Sequence, residues 1–197
     1  MANKDFLKNY SLKGKTLDIY TYPSPVLLKT ANPITEFNDA LRELCLDMLF
    51  TMYHAPGIGL AAPQVGKSIR LFVIDTDYKR EEVTLADGST DHRVSEFNPK
   101  IFINPKFIKK TGESLHEEGC LSLPGIYEDV MRADFVTVEY QDVYGNHQTI
   151  EADELLAICL QHENDHLDGI VFIDHLSMLK KNFFKNKLTK EKTKRKI

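Results

Sequence analysis

The chain has 197 residues (22.6 kDa), 42% of them apolar and 27% charged, which is enough for one well-buried core and short of two ordinary domains. Its longest unbroken apolar run, Leu155 to Leu160, falls far below the ~20 residues of a membrane-spanning helix, and three cysteines cannot form a disulfide framework. The formal charge of −4 is unevenly placed: residues 180–197 hold nine Lys or Arg against one Glu, so this end carries +8 and the remainder −12.

Residues 1–15 read as a polar N-terminal extension; the first 30 residues hold no apolar secretory core, which argues against export, and the three cysteines fit a reducing compartment. Thr35 to Tyr53 reads as an amphipathic helix, because Phe37, Leu41, Leu44, Met48 and Met52 recur at spacings of three and four. Thr35 can cap it and Pro56-Gly57 stops it. Leu71 to Ile74 is a short buried strand. Residues 75–99 are mostly polar and form an exposed excursion, with Asp87-Gly88 as a hairpin turn. Ile101 to Ile103 is a further strand, ended by Asn104-Pro105.

Val136, Val138 and Tyr140 alternate with polar residues, Tyr144-Gly145-Asn146 turns the chain, and His147 to Ile150 returns as the second arm of a hairpin. Asp153 to Asp168 is a second helix terminated by Gly169. Asp174 to about Lys190 is a third, with Phe172, Leu176, Leu179 and Phe183 as its apolar stripe. Strands grouped in the middle with flanking helices indicate an α+β fold. The basic end reads either as a polyanion contact, RNA for example, or as a solvated helix terminus.

The second helix carries Cys159-Leu160-Gln161-His162-Glu163-Asn164-Asp165-His166. His162 and His166, four apart, stack on one helical face where both imidazoles can reach a single metal ion. Glu163 stands beside the first of them, placed to act as general base on a metal-bound water. Leu155 and Cys159 extend the same face, so the stripe points into the protein. A third ligand is not found downstream: the spacing used by one group of metallopeptidases ends here at Phe172, and the only later Glu is Glu191 in the basic end. Cys120 in Glu118-Gly119-Cys120-Leu121-Ser122 is the upstream candidate. A thiolate with two imidazoles leaves one coordination position open and suits Zn²⁺ or Fe²⁺ rather than Mg²⁺ or Ca²⁺. Taken alone, Cys120 also fits a small buried hydrophobe, as Cys45 and Cys159 do.

Gly57-Ile58-Gly59-Leu60-Ala61-Ala62-Pro63-Gln64 keeps a thin side-chain envelope. Ile58 and Leu60 alternate with glycine as a strand edge would, so an extended peptide could pair here. Gln64 offers an amide donor for an oxyanion. No Gly-Lys-Ser/Thr follows, which rejects a phosphate loop.

Together, Gly57 to Gln64, Glu118 to Ser122 and His162 to His166 resemble the three signatures of the peptide deformylase family, in that family's order, with agreeing flanks at Leu17-Asp18-Ile19, Tyr22-Pro23 and Asp165-His166-Leu167. The resemblance covers roughly residues 16 to 185, read as a single catalytic domain between the 1–15 extension and a basic 186–197 tail. It implies an α+β fold, with antiparallel or mixed sheets around a central helix bearing the His pair and a C-terminal helix. It also implies an enzyme that removes the N-formyl group from formyl-methionine of nascent chains, releasing formate. By the same resemblance, Cys120, His162 and His166 bind the metal, usually Fe²⁺ with Zn²⁺ or Ni²⁺ as replacements. Glu163 is the acid–base, and Gln64 with the Leu121 N–H polarises the formyl oxygen. Ile58, Gly59 and Gly119 pair with the substrate backbone, and Arg132 lies near the substrate's peptide end. Ile58, Leu155, Ile158, Cys159 and His162 form a pocket for methionine.

The resemblance further implies a C-terminal helix that can dock on the ribosome, which gives the basic end a purpose. No membrane or DNA partner is expected, and a monomer is preferred. The bacterial cytoplasm is favoured over an organelle because the N-terminus holds Asp5 and Asp18 and no arginine. The excursion at 75–99 is longer than in compact members of the family. Two rival readings are a peptidase cutting internal bonds, and an RNA-binding module whose structural zinc would need His116 or His175 as a fourth ligand.

Overall fold

The computed structural model describes residues 6–8, 10–84 and 87–194. In chain order the elements are helix α1 (Asp39–His54), strands β1 (Gly59–Ala61), β2 (Leu71–Ile74), β3 (Lys79–Thr84), β4 (Thr90–Ser95), β5 (Lys100–Thr111), β6 (Ser114–Gly119), β7 (Tyr127–Arg132), β8 (Phe135–Gln141) and β9 (His147–Asp153), then helices α2 (Glu154–Leu167) and α3 (Met178–Lys194). Short 3₁₀ turns lie at Pro25–Leu28, Ala62–Val65 and Phe172–His175. The main sheet has the order β1-β2-β5-β8-β9, and β3-β4 and β6-β7 are separate two-stranded hairpins. Every pair of named strands is antiparallel, which decides between the two sheet types expected.

The sheet lies between α1 and α2, which explains the unbroken apolar run of β2. Leu71 and Val73 face the α1 side and join Met48, Met52 and Leu60. Phe72 and Ile74 face the other side and join Ala157, Leu160 and Leu167 of α2. A strand covered on both faces has no solvent side to alternate with. A third apolar cluster binds the β6-β7 hairpin to the C-terminal part of the chain through Leu123, Ile126, Val130, Phe172, Ile173 and Leu188.

Four expectations need correction. Helix α1 starts at Asp39 rather than Thr35, because Asn38 is the cap: its Oδ1 accepts the Leu41 N–H at 3.0 Å. Strand β5 does not end at Asn104-Pro105. It passes through them with register shifts after Ile103 and Phe107, and the Asn104 side chain takes up the local bonding, accepting from Ile34 N (2.8 Å) and donating to Ile34 O (2.7 Å). Residues 6–15 are no loose extension where described, since Phe6, Leu7, Tyr10 and Leu12 pack against the α1 core. Residues 1–5 of that extension lie outside the described residues.

The last helix starts at Met178, after a 3₁₀ turn that holds Phe172, and its expected stripe is out of phase. Leu179 is 84% and Phe183 63% exposed, whereas Leu188 is buried and Phe184 packs against the third cluster. Residues 195–197 of the basic tail lie outside the described residues.

Candidate active site

Three parts of the fold deliver the candidate residues to one cleft of about 460 Å³. Helix α2 brings His162 and Glu163 to its wall, with His166 buried beside Cys120; the loop between β6 and β7 brings Cys120 and Leu121; edge strand β1 and the 3₁₀ turn after it bring Gly59 and Gln64. The helix is placed by its apolar face against the sheet, so its inward turn presents the histidines to the loop.

The Cys120 thiol and one ring nitrogen each from His162 and His166 all lie within 4.8 Å of one another, with Cys120 Sγ 3.3 Å from His166 Nε2. Such a set converges on a point rather than forming a hydrogen-bonded chain, and its softness suits a zinc- or iron-like ion. No other cluster of this kind occurs among the described residues. Burial alone would raise the Cys120 thiol, but the His166 and His162 imidazoles outweigh it and hold the group at about 5. Neither His116, paired with Ser114 Oγ at 2.6 Å, nor His175, 2.7 Å from Asp165 Oδ2, joins the cluster as a fourth ligand. Position 172 is filled by a buried phenyl ring stacked beside His162 at 6.2 Å.

Glu163 is buried, and its Oε2 has no hydrogen-bond partner among the described residues. An enclosed carboxylate oxygen with no partner is costly unless water or a ligand meets it. Burial pushes this carboxyl up to about 7 against the opposing pull of the two imidazoles. Gln64 is oriented by the backbone: its Oε1 accepts the Ala61 N–H at 2.7 Å. The amide NH₂ therefore turns toward Ser122 Oγ (3.2 Å) and Cys120 Sγ (3.5 Å).

The cleft wall contains Ile58, Gly59, Gly119, Leu121, Leu155, Ile158 and Cys159. Leu155 stands half-exposed at the rim rather than pointing inward, because it lies in the first turn of α2. Cys159 is a neutral thiol, pushed well up by burial, and its Sγ donates to Ile58 O at 3.7 Å. Gly59 is a close approach: a Cβ built there would lie 2.8 Å from Glu163 Cδ and 2.9 Å from Cys159 Sγ.

Arg132 is not in the cleft, which corrects the expectation of a role at the substrate's far end. It is 5% exposed and enclosed behind the donor cluster. Its Nε and Nη2 donate to the two oxygens of Glu118 (2.6 and 3.1 Å), and its Nη1 donates to Asp165 Oδ2 (2.7 Å). Glu118 Oε2 in turn lies 2.8 Å from His162 Nδ1. Sequence reasoning gave Glu118 no role. The missed signal is that a metal-bound imidazole needs an acceptor on its other nitrogen, and a Glu beside the ligand loop is a natural source. These partners outweigh the burial penalty and hold Glu118 at about 2.

A family model described as polypeptide deformylase matches residues 16–182. Among curated relatives, peptide deformylase 2 of Xanthomonas axonopodis pv. citri is 45% identical over 179 residues, spanning 89% of this chain and 96% of that protein. Peptide deformylase 1 of Shewanella oneidensis is 47% identical over 174 residues, spanning 88% and 94%. Among solved structures, a peptide deformylase from Legionella pneumophila superposes with a TM-score of 0.76 at 40% identity, covering 91% of this chain and 97% of that one. A second from Synechococcus elongatus, in complex with actinonin, gives 0.74 at 40% identity, covering 88% and 90%.

Proposed function

Since the chain belongs to the polypeptide deformylase family, and so is a hydrolase that removes the N-formyl group from newly made polypeptides, we propose that Cys120, His162 and His166 hold its metal and that Glu163 is the catalytic acid–base. One observation carries this reading: three potential metal donors converge within 4.8 Å beside a buried Glu163 oxygen that has no partner among the described residues.

The family is metal-dependent, and the donor set fits Fe²⁺, with Zn²⁺ or Ni²⁺ as replacements, one ion per chain. Bound there, the ion would supply Lewis acidity and a water that deprotonates near neutral pH. Glu163 takes the proton of the attacking water and returns it to the leaving amine. Gln64 Nε2–H and the Leu121 N–H aim donors at the formyl oxygen as it gains charge, each worth ~10²–10³ in rate at sites of this type. Ile58, Gly59 and Gly119 pair with the backbone of the extended peptide, as a third strand added to an edge would. Ile58, Leu155, Ile158 and Cys159 present the apolar wall for methionine.

Residues 16–185 form the catalytic unit in this reading, working as a monomer in the bacterial cytoplasm, where nascent formylated chains emerge. The basic C-terminal segment is its contact with the ribosome, since that surface is rich in phosphate. The test is metal analysis of anaerobically purified protein beside formate release from a formyl-methionyl tripeptide and its unformylated twin. One ion per chain, and release only from the formylated substrate, are expected. The iron form should lose activity in air or peroxide while a zinc form survives; equal sensitivity of the two would count against an iron–thiolate centre.

A further inference from the structure

No described residue of the 75–99 segment lies in the wall of the cleft, yet its root is tied to that wall. Asp75, fully buried at the end of β2, gathers both ends of the segment on one carboxylate. Its Oδ1 accepts from Asp77 N (3.0 Å) and Tyr78 N (3.2 Å), and its Oδ2 from Asn98 N (2.8 Å) and Tyr53 Oη (2.6 Å). From this fixed base two bonds reach the peptide-binding edge. Asp75 N donates to Ile58 O at 2.9 Å, and the Tyr78 hydroxyl donates to Gly57 O at 3.1 Å. The Tyr78 ring is held in place edge-on to Tyr53, centroids 4.9 Å apart. Gly57 itself presses on the metal loop, since a Cβ there would lie 2.9 Å from Leu121 Cδ1.

We propose that Tyr78 is a positioning residue for this reaction: by pinning the Gly57 carbonyl it fixes the 57–59 edge against Leu121, so that the root of the inserted hairpin sets how firmly the cleft holds peptide beyond the formyl-methionine. The proposal rests on the deformylase reading of the site. The formyl-methionine is held by the donor cluster, the oxyanion donors and the apolar wall, whereas each later residue of a substrate relies on backbone bonds to the edge. Loosening the edge therefore penalises long substrates more than short ones, which meet it through the Ile58 side chain alone. Backbone at Gly57 is only half-buried, so water can replace the lost hydroxyl and the fold survives the change.

The test compares Tyr78→Phe, which keeps the ring against Tyr53, with the unaltered enzyme on formyl-methionine amide and on a formyl-methionyl tetrapeptide. KM for the tetrapeptide should rise about three- to tenfold, the range for one lost hydrogen bond, with kcat and the amide's KM changed less than about twofold. Amide exchange at residues 57–59 should speed up in the same variant. Arg80→Ala is the control, because Arg80 Nη1 ties the hairpin to Tyr53 O (3.0 Å) without touching the edge; it should leave the two substrates' ratio unchanged. Equal losses on both substrates, no change in either, unchanged exchange at 57–59, or the same split in Arg80→Ala each overturn the proposal. Absence of formate release by the unaltered enzyme would instead overturn the reading of the reaction, while the exchange comparison would still decide the fate of Tyr78.

Discussion

A methyl group added at Gly59 meets the carboxylate of Glu163, the proposed acid–base, before it meets anything else. The new Cβ would stand 2.8 Å from Glu163 Cδ, nearer still to Oε1, and 2.9 Å from Cys159 Sγ. Carbon atoms rest 3.5–4.0 Å apart, so the carboxylate must retreat by about 1 Å. Helix α2 cannot yield, being buried against the sheet, and the loose end of the Glu163 side chain therefore moves. A reacting group displaced by about 1 Å costs on the order of 10² in rate. Gly59→Ala should thus lower kcat by ~10², about 2.7 kcal/mol of barrier. The proposed ligands Cys120 and His166 are not among the atoms met by the new methyl, so metal content should stay at one ion per chain. Formate release read with metal analysis and a thermal melt checks all three. A folded, metal-loaded variant with kcat within about threefold of normal would refute the close-contact reasoning.

Further outcomes are expected elsewhere in the molecule. Glu163→Gln should keep its metal and lose ~10²–10⁴ in turnover, read by formate release beside metal analysis. Arg132→Ala strands the buried Glu118 carboxylate and should cost about 3–5 kcal/mol, seen as a Tm lower by about 10 °C. The same change should weaken metal binding about 10- to 100-fold in a chelator competition, because His162 loses the group that orients it. Asp174 anchors α3: burial would raise its carboxyl, but bonds from Lys181 and Lys185 and the Val171 N–H hold it below its ordinary 3.8. A depressed carboxylate stabilises the fold above its ordinary value and ceases to do so as the pH falls through the lowered one. The protection factors of the Met178–Lys190 amides, relative to their intrinsic rate at each pH, should therefore fall in acid below 3.8, and Asp174→Asn should show low protection already at neutral pH.

What could be read in the sequence follows the range of the interactions. The His162–His166 pair was legible because the helical period alone puts the two rings on one face. Cys120 needed only the chemistry of a missing ligand and the compactness of its loop. The enclosed chain His162–Glu118–Arg132–Asp165 was not legible, since its members come from three elements and meet only once β6, β7 and α2 are packed. Arg132 was misplaced for the same reason: a lone arginine in a strand gives no sign of whether it faces a cleft or a buried acid. The run 6–15 hides its core contacts because Phe6, Tyr10 and Leu12 are spaced among lysines and other polar residues without a helical or strand period. In α3 apolar residues are so sparse that a stripe can be drawn through Leu179 and Phe183, the exposed side, as easily as through Phe184 and Leu188.

The short β1 border bears on behaviour in a crowded solution. A sheet margin that can accept one extended chain is open to another copy's margin too, the usual route to fibrils. Here the margin is only Gly59 to Ala61, and the Ala61 N–H is already spent on Gln64. Two such borders would share too few rungs to hold, so the side chain proposed to turn an amide toward the formyl oxygen also denies the fold a seed for stacking copy upon copy.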